Sequence, residues 1–337
     1  MRERIEQLEL QILSPYAQKV LYTKGRAVPE EKDVYRTDYQ RDRDRILHSK
    51  TFRRLKHKTQ VFISPEGDHY RTRLTHTLEV GQIARTMARA LQLNEDLIEA
   101  MAMGHDVGHT PFGHAGEDVL RQLMPGFAHY EQSVRVLSFL ESTPKRRGLN
   151  LTYEVLDGIA NHSGGNQAET LEGQLLKFAD RIAYVNHDID DSIRAGVLRE
   201  EDLPQEAVAV LGHSSSDRID AMVQAVIEDS IGRNRITMKE PEHTAARTLR
   251  KFMFDRVYTN TTVKGENEKL RHIIEDVFSY YRKHLDALPA SHLSMYTGEH
   301  EGDSAERIVC DYIAGMTDIF LIHTYEDLFI PKSWKKM

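Results

Sequence analysis

Apolar residues recur at helical spacing along most of the chain, and stretches that alternate with a period of two are scarce. The clearest helix is predicted over 75–93, and Asn94 is a good N-cap for a second helix that runs towards Gly104. Further helices are predicted over 115–124, 130–142, 170–195, 218–231, 243–258, 266–288 and 304–329. The pattern therefore predicts an all-α protein, a helical bundle with additional C-terminal helices.

Gly, Pro, Ser and Asn gather between the predicted helices, but no such stretch is long enough for a flexible linker. The segment from Lys58 to Asp68 favours a small β-hairpin. We expect one globular unit with three parts. These are an N-terminal arm with a basic segment (1–68), a histidine-rich core (69–195) and a helical C-terminal part packed on that core (196–337).

The composition is that of an ordinary globular protein, with 337 residues, 40% hydrophobic and 29% charged. No apolar run approaches the roughly 20 residues that a membrane helix needs, and the first residues lack a secretory core. The single cysteine, Cys310, excludes an internal disulfide framework and a cysteine-rich zinc site. We therefore expect a cytoplasmic protein that does not associate with membranes.

The net charge of -7 argues against non-specific binding of nucleic acid by the whole chain. Residues 41–58 are an exception, because they contain eight Lys or Arg and two Asp. The simpler interpretation is a solvated helix face with local ion pairs. The alternative is an anion site for nucleotide phosphates or for weakly bound single-stranded nucleic acid.

Histidines are concentrated in one part of the chain, since seven of the seventeen lie between His69 and His162. His105-Asp106 ends an apolar helix, where a charged aspartate is costly unless it is paired or binds a metal. On the predicted helix 170–195, Asp180 begins a polar stripe along an otherwise apolar helix. The stripe consists of Asp180, Tyr184, His187 and Asp188. Two His and two Asp suit a borderline divalent ion such as Mn, Fe, Co, Ni or Zn.

Four sequence blocks carry a family resemblance: RLTHTLEV, HDVGHTPFGHAGE, HYEQS and FADRIAYVNHDIDD. The order His76, His105-Asp106, Asp180 matches the ligand pattern of HD-domain phosphohydrolases. More narrowly, the blocks resemble the deoxyguanosine triphosphate triphosphohydrolase-like (dGTPase-like) family. The match is strong over about 35–195, and only a general similarity extends beyond about 200. The resemblance implies that the helical bundle is an HD domain.

The resemblance also implies a reaction, the metal-dependent hydrolysis of a deoxynucleoside triphosphate at the α phosphate to deoxynucleoside and tripolyphosphate. Its metal, one of the divalent ions named above, would be held by four ligands, with Mg accompanying the triphosphate. These ligands are His76, His105, Asp106 and Asp180. The family places His114 and His129 in the catalytic pocket. We expect His129 with Glu117 to be the acid/base pair and His114 to bind phosphate, and the reverse assignment stays open.

Further substrate contacts follow from the same resemblance. Arg73 and Arg181 are placed to supply guanidinium groups to the phosphates, and His109 resembles a residue that faces phosphate or a second metal. For the sugar, the resemblance points to three residues, Gln60, Tyr184 and Asp188. Tyr184 would occupy the space that a ribose 2′-hydroxyl needs, which would exclude ribonucleotides.

Simpler roles compete with some of these assignments. Tyr184 can be an ordinary core tyrosine, and Asp188 can be the partner of an arginine. We interpret His162, in the segment Asn161 to Gly165, as a loop residue, with a place at the mouth of the pocket as the alternative.

Two other functions compete with the triphosphohydrolase. One is another HD-domain phosphohydrolase that acts on a nucleotide monophosphate or a cyclic dinucleotide, with a second metal held by His109, His114 and His129. No GYP-type block follows the HD pair, which weakens the cyclic dinucleotide version. The other is a nucleotide-sensing or nucleic-acid-binding protein with slow turnover, which the basic run 41–58 motivates. Family members are commonly oligomers regulated by nucleotides, so the resemblance implies a homo-oligomer and allows an allosteric nucleotide.

Overall fold

The computed structural model describes residues 1–60, 70–143, 146–258 and 261–332, and over these ranges the protein is helical. Within them lie sixteen α-helices: α1 (Arg2–Ile12), α2 (Asp38–Leu47), α3 (Lys50–Arg54), α4 (Arg73–Ala90), α5 (Glu95–Gly104), α6 (Gly113–Leu123), α7 (His129–Arg135), α8 (Tyr153–Asn161), α9 (Leu171–Arg194), α10 (Gln205–Leu211), α11 (Ser215–Ser230), α12 (Glu242–Met253), α13 (Thr261–Lys283), α14 (Ala290–Leu293), α15 (Ala305–Ala314) and α16 (Asp318–Phe329). The predicted all-α class is confirmed. In the described part of the chain, none of these helices has the length and apolar character needed to cross a membrane.

The β structure among the described residues is small. Two short strands, β1 (Ser142–Thr143) and β2 (Arg146–Arg147), pair antiparallel. Most of the hairpin predicted from Lys58 to Asp68 lies outside the described residues. At its edge, Thr59 forms an isolated antiparallel bridge with Thr72.

Three helices form the centre of the fold, because α4, α5 and α9 all pack against one another. Each begins at a capped residue: Thr72 Oγ1 accepts from Thr75 N, Asn94 Oδ1 from Leu97 N, and Thr170 Oγ1 from Gly173 N. Helices α2 and α8 cover α5, and α10, α11 and α12 extend the same hydrophobic core. This arrangement brings together the first turn of α4, the residues that follow α5 and the middle of α9.

A second hydrophobic core lies between α6 and the last helices of the chain, α13, α15 and α16. Its buried members include Phe112, Leu120, Ile274, Phe278, Ile313 and Leu321. Helix α6 therefore packs on the C-terminal helices, although it follows the HD pair directly in sequence. The three-part division of the chain at 68 and 195 stays a prediction.

The prediction of one helix over 304–329 is wrong, because the chain forms two helices there. Helix α15 ends at Gly315, and Thr317 has an extended backbone (φ -89°, ψ 164°) as the N-cap of α16. The Thr317 side chain accepts a hydrogen bond from Phe320 N at 3.3 Å. The apolar pattern continues across this break since both helices face the second core, so periodicity alone does not reveal it.

Two buried side chains, Asp318 and Lys58, connect the helices of the second core to the loop before α6 by hydrogen bonds. The Asp318 carboxylate accepts hydrogen bonds from Phe112 N at 2.9 Å, from Thr59 N at 2.8 Å and from the Thr59 hydroxyl. Phe112 has a left-handed backbone (φ 60°), which costs a non-glycine residue of order 1–3 kcal/mol, so this loop needs such support. The buried Lys58 Nζ donates to the carbonyl oxygens of His109 and Ala314. Burial lowers the pKa of Lys58 to about 7.

The substitution Asp318→Ala should lower the free energy of unfolding by about 2–3 kcal/mol, because it leaves buried donors without an acceptor. Equilibrium urea denaturation measures this loss. Asp327→Ala on the same helix is the matched control. Its carboxylate is exposed and pairs with the exposed Lys332, so the change should stay within about 0.5 kcal/mol. Equal stability of the two variants would contradict the structural role of Asp318.

Candidate functional site

The four predicted metal ligands lie together where α4, α5 and α9 meet. His76 is in the first turn of α4, His105 and Asp106 follow α5 directly, and Asp180 is in the middle of α9. The His76 Nε2 atom is 3.1 Å from Asp180 Oδ1 and 3.8 Å from Asp106 Oδ2. The His105 Nε2 atom is 3.5 Å from Asp106 Oδ1 and 3.7 Å from Asp180 Oδ1. Side chains separated by up to 104 positions thus converge on one small volume.

The chemistry of this cluster suits a divalent cation. His105 Nδ1 donates to the Ala102 carbonyl oxygen at 2.7 Å, which leaves the lone pair of Nε2 directed at the two carboxylates. Burial favours a neutral ring, but the charges of Asp106 and Asp180 outweigh it and raise the pKa of His105 to about 9. One buried carboxylate, one partly buried carboxylate and two imidazoles in this arrangement therefore attract a positive charge, and these residues fit the group that an HD domain implies.

Arg73, the first residue of α4, adds a buried guanidinium group beside this cluster. Its Nη1 donates to Asp106 Oδ2 at 2.7 Å, and the residue is 2% exposed. Its Nε and Nη2 have no hydrogen-bond partner among the described residues. A buried guanidinium with unused donors is suited to bind an anion such as a phosphate.

A second cluster joins His129, Glu117 and His114. The Nδ1 atom of His129 is 3.0 Å from Glu117 Oε2, and the backbone N of His129 donates to Glu117 Oε1 at 3.0 Å. His114 Nδ1 lies 3.5 Å from the same carboxylate, and its side chain is 69% exposed. Burial alone would raise the pKa of Glu117, but hydrogen bonds from His114 and His129 hold it well below its usual range. Glu117 is therefore an ionised group that orients His129.

His109 connects the two clusters. Its ring stacks on that of His129 with centroids 4.1 Å apart, and its Nε2 lies 3.6 Å from Asp106 Oδ1. Burial, together with the positive charge of Arg73, lowers the pKa of His109 well below its usual value, so this ring is neutral. The loop between α5 and α6 thereby joins the metal-ligand cluster to the Glu117–His129 pair.

Close packing of that loop on α7 fixes the distance between the clusters. A Cβ atom on Gly108 would lie 2.1 Å from Ser133 N, so only glycine fits there without a shift. The Ser133 hydroxyl accepts from Gly108 N at 2.9 Å and donates to the His105 carbonyl oxygen at 2.7 Å. Sequence reasoning did not single out Ser133, although it ends the HYEQS block.

The predicted sugar and phosphate contacts are spread around the clusters. Tyr184, one turn after Asp180 on α9, is half-buried, and burial raises the pKa of its hydroxyl. Asp188, one turn further along the same face, is buried. Gln60 is also buried, and its carbonyl oxygen and the Arg73 guanidinium both lie beside Gly113 at the start of α6. Arg181 instead borders a small groove between α9 and α12, together with Arg247 and Arg250.

Two further histidines lie at the site. His187 packs edge-on against His76, with centroids 5.8 Å apart, and burial, then the charge of His76, lowers its pKa to about 2. His162 caps the C-terminus of α8, is 2% exposed and packs against the ring of His105. His162 thus lies in the loop that directly follows α8, in agreement with the interpretation as a loop residue, but it is buried at the site. The sequence does carry a signal for this burial, the spacing of Val155, Ile159 and His162, which places all three on one buried helix face.

The basic run 41–58 divides into two halves in the structure. Arg41 and Arg45 pair with Glu30, and Arg43 pairs with Glu99 at 3.1 Å, so this half agrees with local ion pairing. The other half exposes cationic side chains that have no carboxylate partner among the described residues. These are Lys50, Arg53, Arg54 and Lys56. Contact with single-stranded nucleic acid stays a prediction for this half.

Comparison with known proteins agrees with this geometry. Residues 73–185 match the model of the HD domain, and residues 236–327 match that of the phosphohydrolase-associated domain. A deoxyguanosinetriphosphate triphosphohydrolase-like protein of Caldanaerobacter subterraneus subsp. tengcongensis is 54% identical, over 99% of this chain and 97% of its own length. The chain belongs to this triphosphohydrolase-like family of HD-domain hydrolases. The predicted family is thus confirmed.

Other members of the family match over nearly the whole chain as well. The protein of the same description from Clostridium tetani is 48% identical, over 98% of this chain and 97% of its own length. The one from Geobacter sulfurreducens is 39% identical over 98% of each chain. Among solved structures, a phosphohydrolase from Bacteroides thetaiotaomicron has a TM-score of 0.54 at 19% identity, and covers 84% of this chain and 67% of its own. That likeness shows the fold alone.

The substitution His105→Ala should remove bound metal, since it deletes one of the two imidazoles in the cluster. Protein loaded with Mn²⁺ and desalted should retain about one ion per chain, and the variant less than about a tenth of that. Metal analysis by mass spectrometry gives the ratio. His272→Ala, on the exposed side of α13, is the control and should retain the ion. Full metal content in His105→Ala would refute the metal centre.

Proposed function

We propose that this enzyme hydrolyses deoxynucleoside triphosphates at the α phosphate and releases the deoxynucleoside and tripolyphosphate. The observation that carries the proposal is the buried Arg73, which pairs with Asp106 and still has unused donors beside the four candidate metal ligands. A triphosphate carries about four negative charges, so its site needs cations and donors in the same place. The relatives are described as deoxyguanosinetriphosphate triphosphohydrolase-like proteins, which names the same class of reaction for them.

We assign His76, His105, Asp106 and Asp180 as the ligands of one divalent ion, which can be Mn, Fe, Co, Ni or Zn. Such an ion, when bound, polarises a phosphoryl oxygen and lowers the pKa of bound water. Arg73 neutralises phosphate charge next to it, and Mg²⁺ can accompany the triphosphate. The neutral His109 ring faces the phosphates. Arg181 borders the groove between α9 and α12, and we assign it a phosphate contact from that side of α9.

The departing 5′ oxygen needs a proton, and we assign this role to His129. Its Nδ1 is held by the buried, ionised Glu117, so the ring is oriented for proton transfer. His114 is more exposed and lies farther from the same carboxylate, which supports a phosphate contact for His114 rather than proton donation. The shorter distance of His129 from Glu117 and its burial support His129, rather than His114, as the proton donor.

The deoxyribose would lie along the face of α9 that presents Tyr184 and Asp188. The Tyr184 ring would fill the space of a 2′-hydroxyl, while Asp188 and Gln60 would bind the 3′-hydroxyl. Both Asp188 and Gln60 are buried and polar, as is required of a site that selects a substrate by hydrogen bonds to one hydroxyl group.

The reaction is tested directly by incubating the Mn²⁺-loaded protein with each of the four deoxynucleoside triphosphates. We expect tripolyphosphate and deoxynucleoside in a one-to-one ratio, measured by anion-exchange and reversed-phase chromatography. His105→Ala is the inactive control. Release of pyrophosphate or orthophosphate in place of tripolyphosphate would overturn the proposed bond cleavage.

The substitution Tyr184→Ala should reduce the preference for a deoxynucleotide over the matching ribonucleotide, because it opens the space for the 2′-hydroxyl. We expect the ratio of the two kcat/KM values to fall about tenfold or more. Tyr35→Ala, at a surface position that is 70% exposed, should leave the ratio unchanged. An unchanged ratio of the two kcat/KM values in Tyr184→Ala would mean that Tyr184 only packs in the core and does not select the sugar.

A further inference from the structure

The carboxylate of Asp311, on α15, binds side chains of α7 from the C-terminal part of the protein. Its side chain has no exposed surface, and four donor side chains surround it. Two belong to α7, since Gln132 Nε2 donates to Asp311 Oδ1 at 2.9 Å and Arg135 Nε donates to Asp311 Oδ2 at 2.8 Å. The other two are Arg307 Nη2, at 2.9 Å, and the Tyr296 hydroxyl, at 3.0 Å. One buried anion therefore connects α7 with a helix 179 positions away in the sequence.

Helix α7 depends on such contacts for its position. It has only seven residues, too few for a helix to be stable by its own hydrogen bonds. Three other parts of the protein hold it. Glu117 of α6 accepts from His129 N at 3.0 Å, the Ser133 hydroxyl binds the loop between α5 and α6, and Asp311 of α15 binds two side chains near the end of the helix. The place of the His129 ring is therefore set by the C-terminal helices as well as by the site itself.

Gln132 connects the Asp311 contact with the site. It is 1% exposed and lies one turn after His129 on α7. Both ends of its amide are engaged, because Nε2 donates to Asp311 and Oε1 accepts from Arg307 Nη2. The next residue is Ser133, which contacts the loop between α5 and α6. Because these residues share one helical turn, a displacement of Gln132 also displaces His129 and Ser133.

The charges around Asp311 show what its loss would do. Arg135 Nη2 and Arg307 Nη2 lie 2.7 and 2.9 Å from its carboxylate oxygens, so the two guanidinium groups are close together. Arg135 has a second partner in Asp303, whereas Asp311 is the one carboxylate that pairs with Arg307 among the described residues. Without Asp311, like charges would repel across the contact of α7 with α15, and buried donors would lose their acceptor.

We propose that Asp311 is a positioning residue for proton donation, because it holds α7 so that His129 lies against Glu117 and beside the metal-ligand cluster. Asp311 acts through the helix and not by contact with the substrate. The proposal rests on the proposed function, since it names what keeps the proton donor of that reaction in place.

The test compares the wild type with Asp311→Ala and Asp311→Asn, in which asparagine keeps one acceptor oxygen for the side chains of α7. With a normal substrate, we expect Asp311→Ala to lower kcat about 10- to 100-fold, because a displacement of about 1 Å is enough for such a loss. KM and metal content should not change, since the residues that bind substrate and metal stay in place. Asp311→Asn should lie between Asp311→Ala and the wild type.

A substrate with sulfur in the bridging 5′ position is the second arm, because a thiolate leaves without a proton. If Asp311 acts through the proton donor, Asp311→Ala and His129→Ala should both hydrolyse this substrate at nearly the wild-type rate.

The substitution Asp42→Ala is the matched control for a loss of stability. Asp42 is also a fully buried carboxylate, and it pairs with Arg26 and accepts from Thr152 N at 2.8 Å, with none of these residues on α7. The control should lower the urea midpoint as Asp311→Ala does, but keep kcat within about twofold of the wild type, because distant sites act independently.

Other results would overturn the proposal. An unchanged kcat with the oxygen substrate would mean that Asp311 only stabilises the fold, and an equal loss of kcat in Asp42→Ala would mean the same. An equal loss with the oxygen and sulfur substrates, or a loss of metal, would show that Asp311 does not act through the proton donor. If Asp311→Ala does not fold, Asp311→Asn is compared with the wild type in its place.

A measurement without substrate separates this proposal from the proposed function. In ¹⁵N-histidine-labelled protein loaded with diamagnetic Zn²⁺, the ring nitrogen signals of His129 are identified by their absence from His129→Ala. They should shift in Asp311→Ala and stay unchanged in Asp42→Ala. Unshifted signals in Asp311→Ala would refute the positioning role, whichever nucleotide the enzyme hydrolyses. If the signals shift as expected while no tripolyphosphate is released, the proposed function alone has failed.

Discussion

The fold is organised around two carboxylates, Asp106 and Asp180, that meet in the interior where α4, α5 and α9 join. Asp106 is buried and Asp180 is partly buried, so these two anions repel each other with little water to screen them. Positive or polarisable groups surround these carboxylates. Arg73 pairs with Asp106, and the Nε2 atoms of His76 and His105 point at the carboxylates of Asp106 and Asp180. The remaining demand for positive charge suits the cluster to a divalent cation.

The rest of the structure holds this arrangement and joins it to proton-transfer groups. Stacking of His109 on His129 sets the metal-ligand cluster against the pair formed by Glu117 and His129. The C-terminal helices support the same loop from outside, because Asp318 of α16 accepts from Phe112 N, and Lys58 Nζ donates to the carbonyl oxygens of both His109 and Ala314. The C-terminal helices are therefore needed to hold the loop between α5 and α6 in place.

The histidines of the site have different roles because their surroundings differ. His105 lies among carboxylates and attracts positive charge, whereas His109 and His187 are buried beside cationic or histidine neighbours that favour the neutral ring. Glu117 gives His129 the opposite environment, an ionised group at hydrogen-bond distance. Under the proposed function, one residue type would thus supply metal ligands, a neutral ring between the clusters and a proton donor.

The sequence by itself determined the helical class, the family and the residues that gather at the site, because helical periodicity and the ordered blocks around His76, His105-Asp106 and Asp180 are local features. It did not show the break between α15 and α16, since both helices turn apolar faces to one core and the pattern runs on across Thr317. Nor could it show that His162 is buried against His129 and His105, or that Asp318 binds a loop 206 residues away. Such contacts depend on which helix faces meet in three dimensions, and only the packing of the tertiary structure decides that.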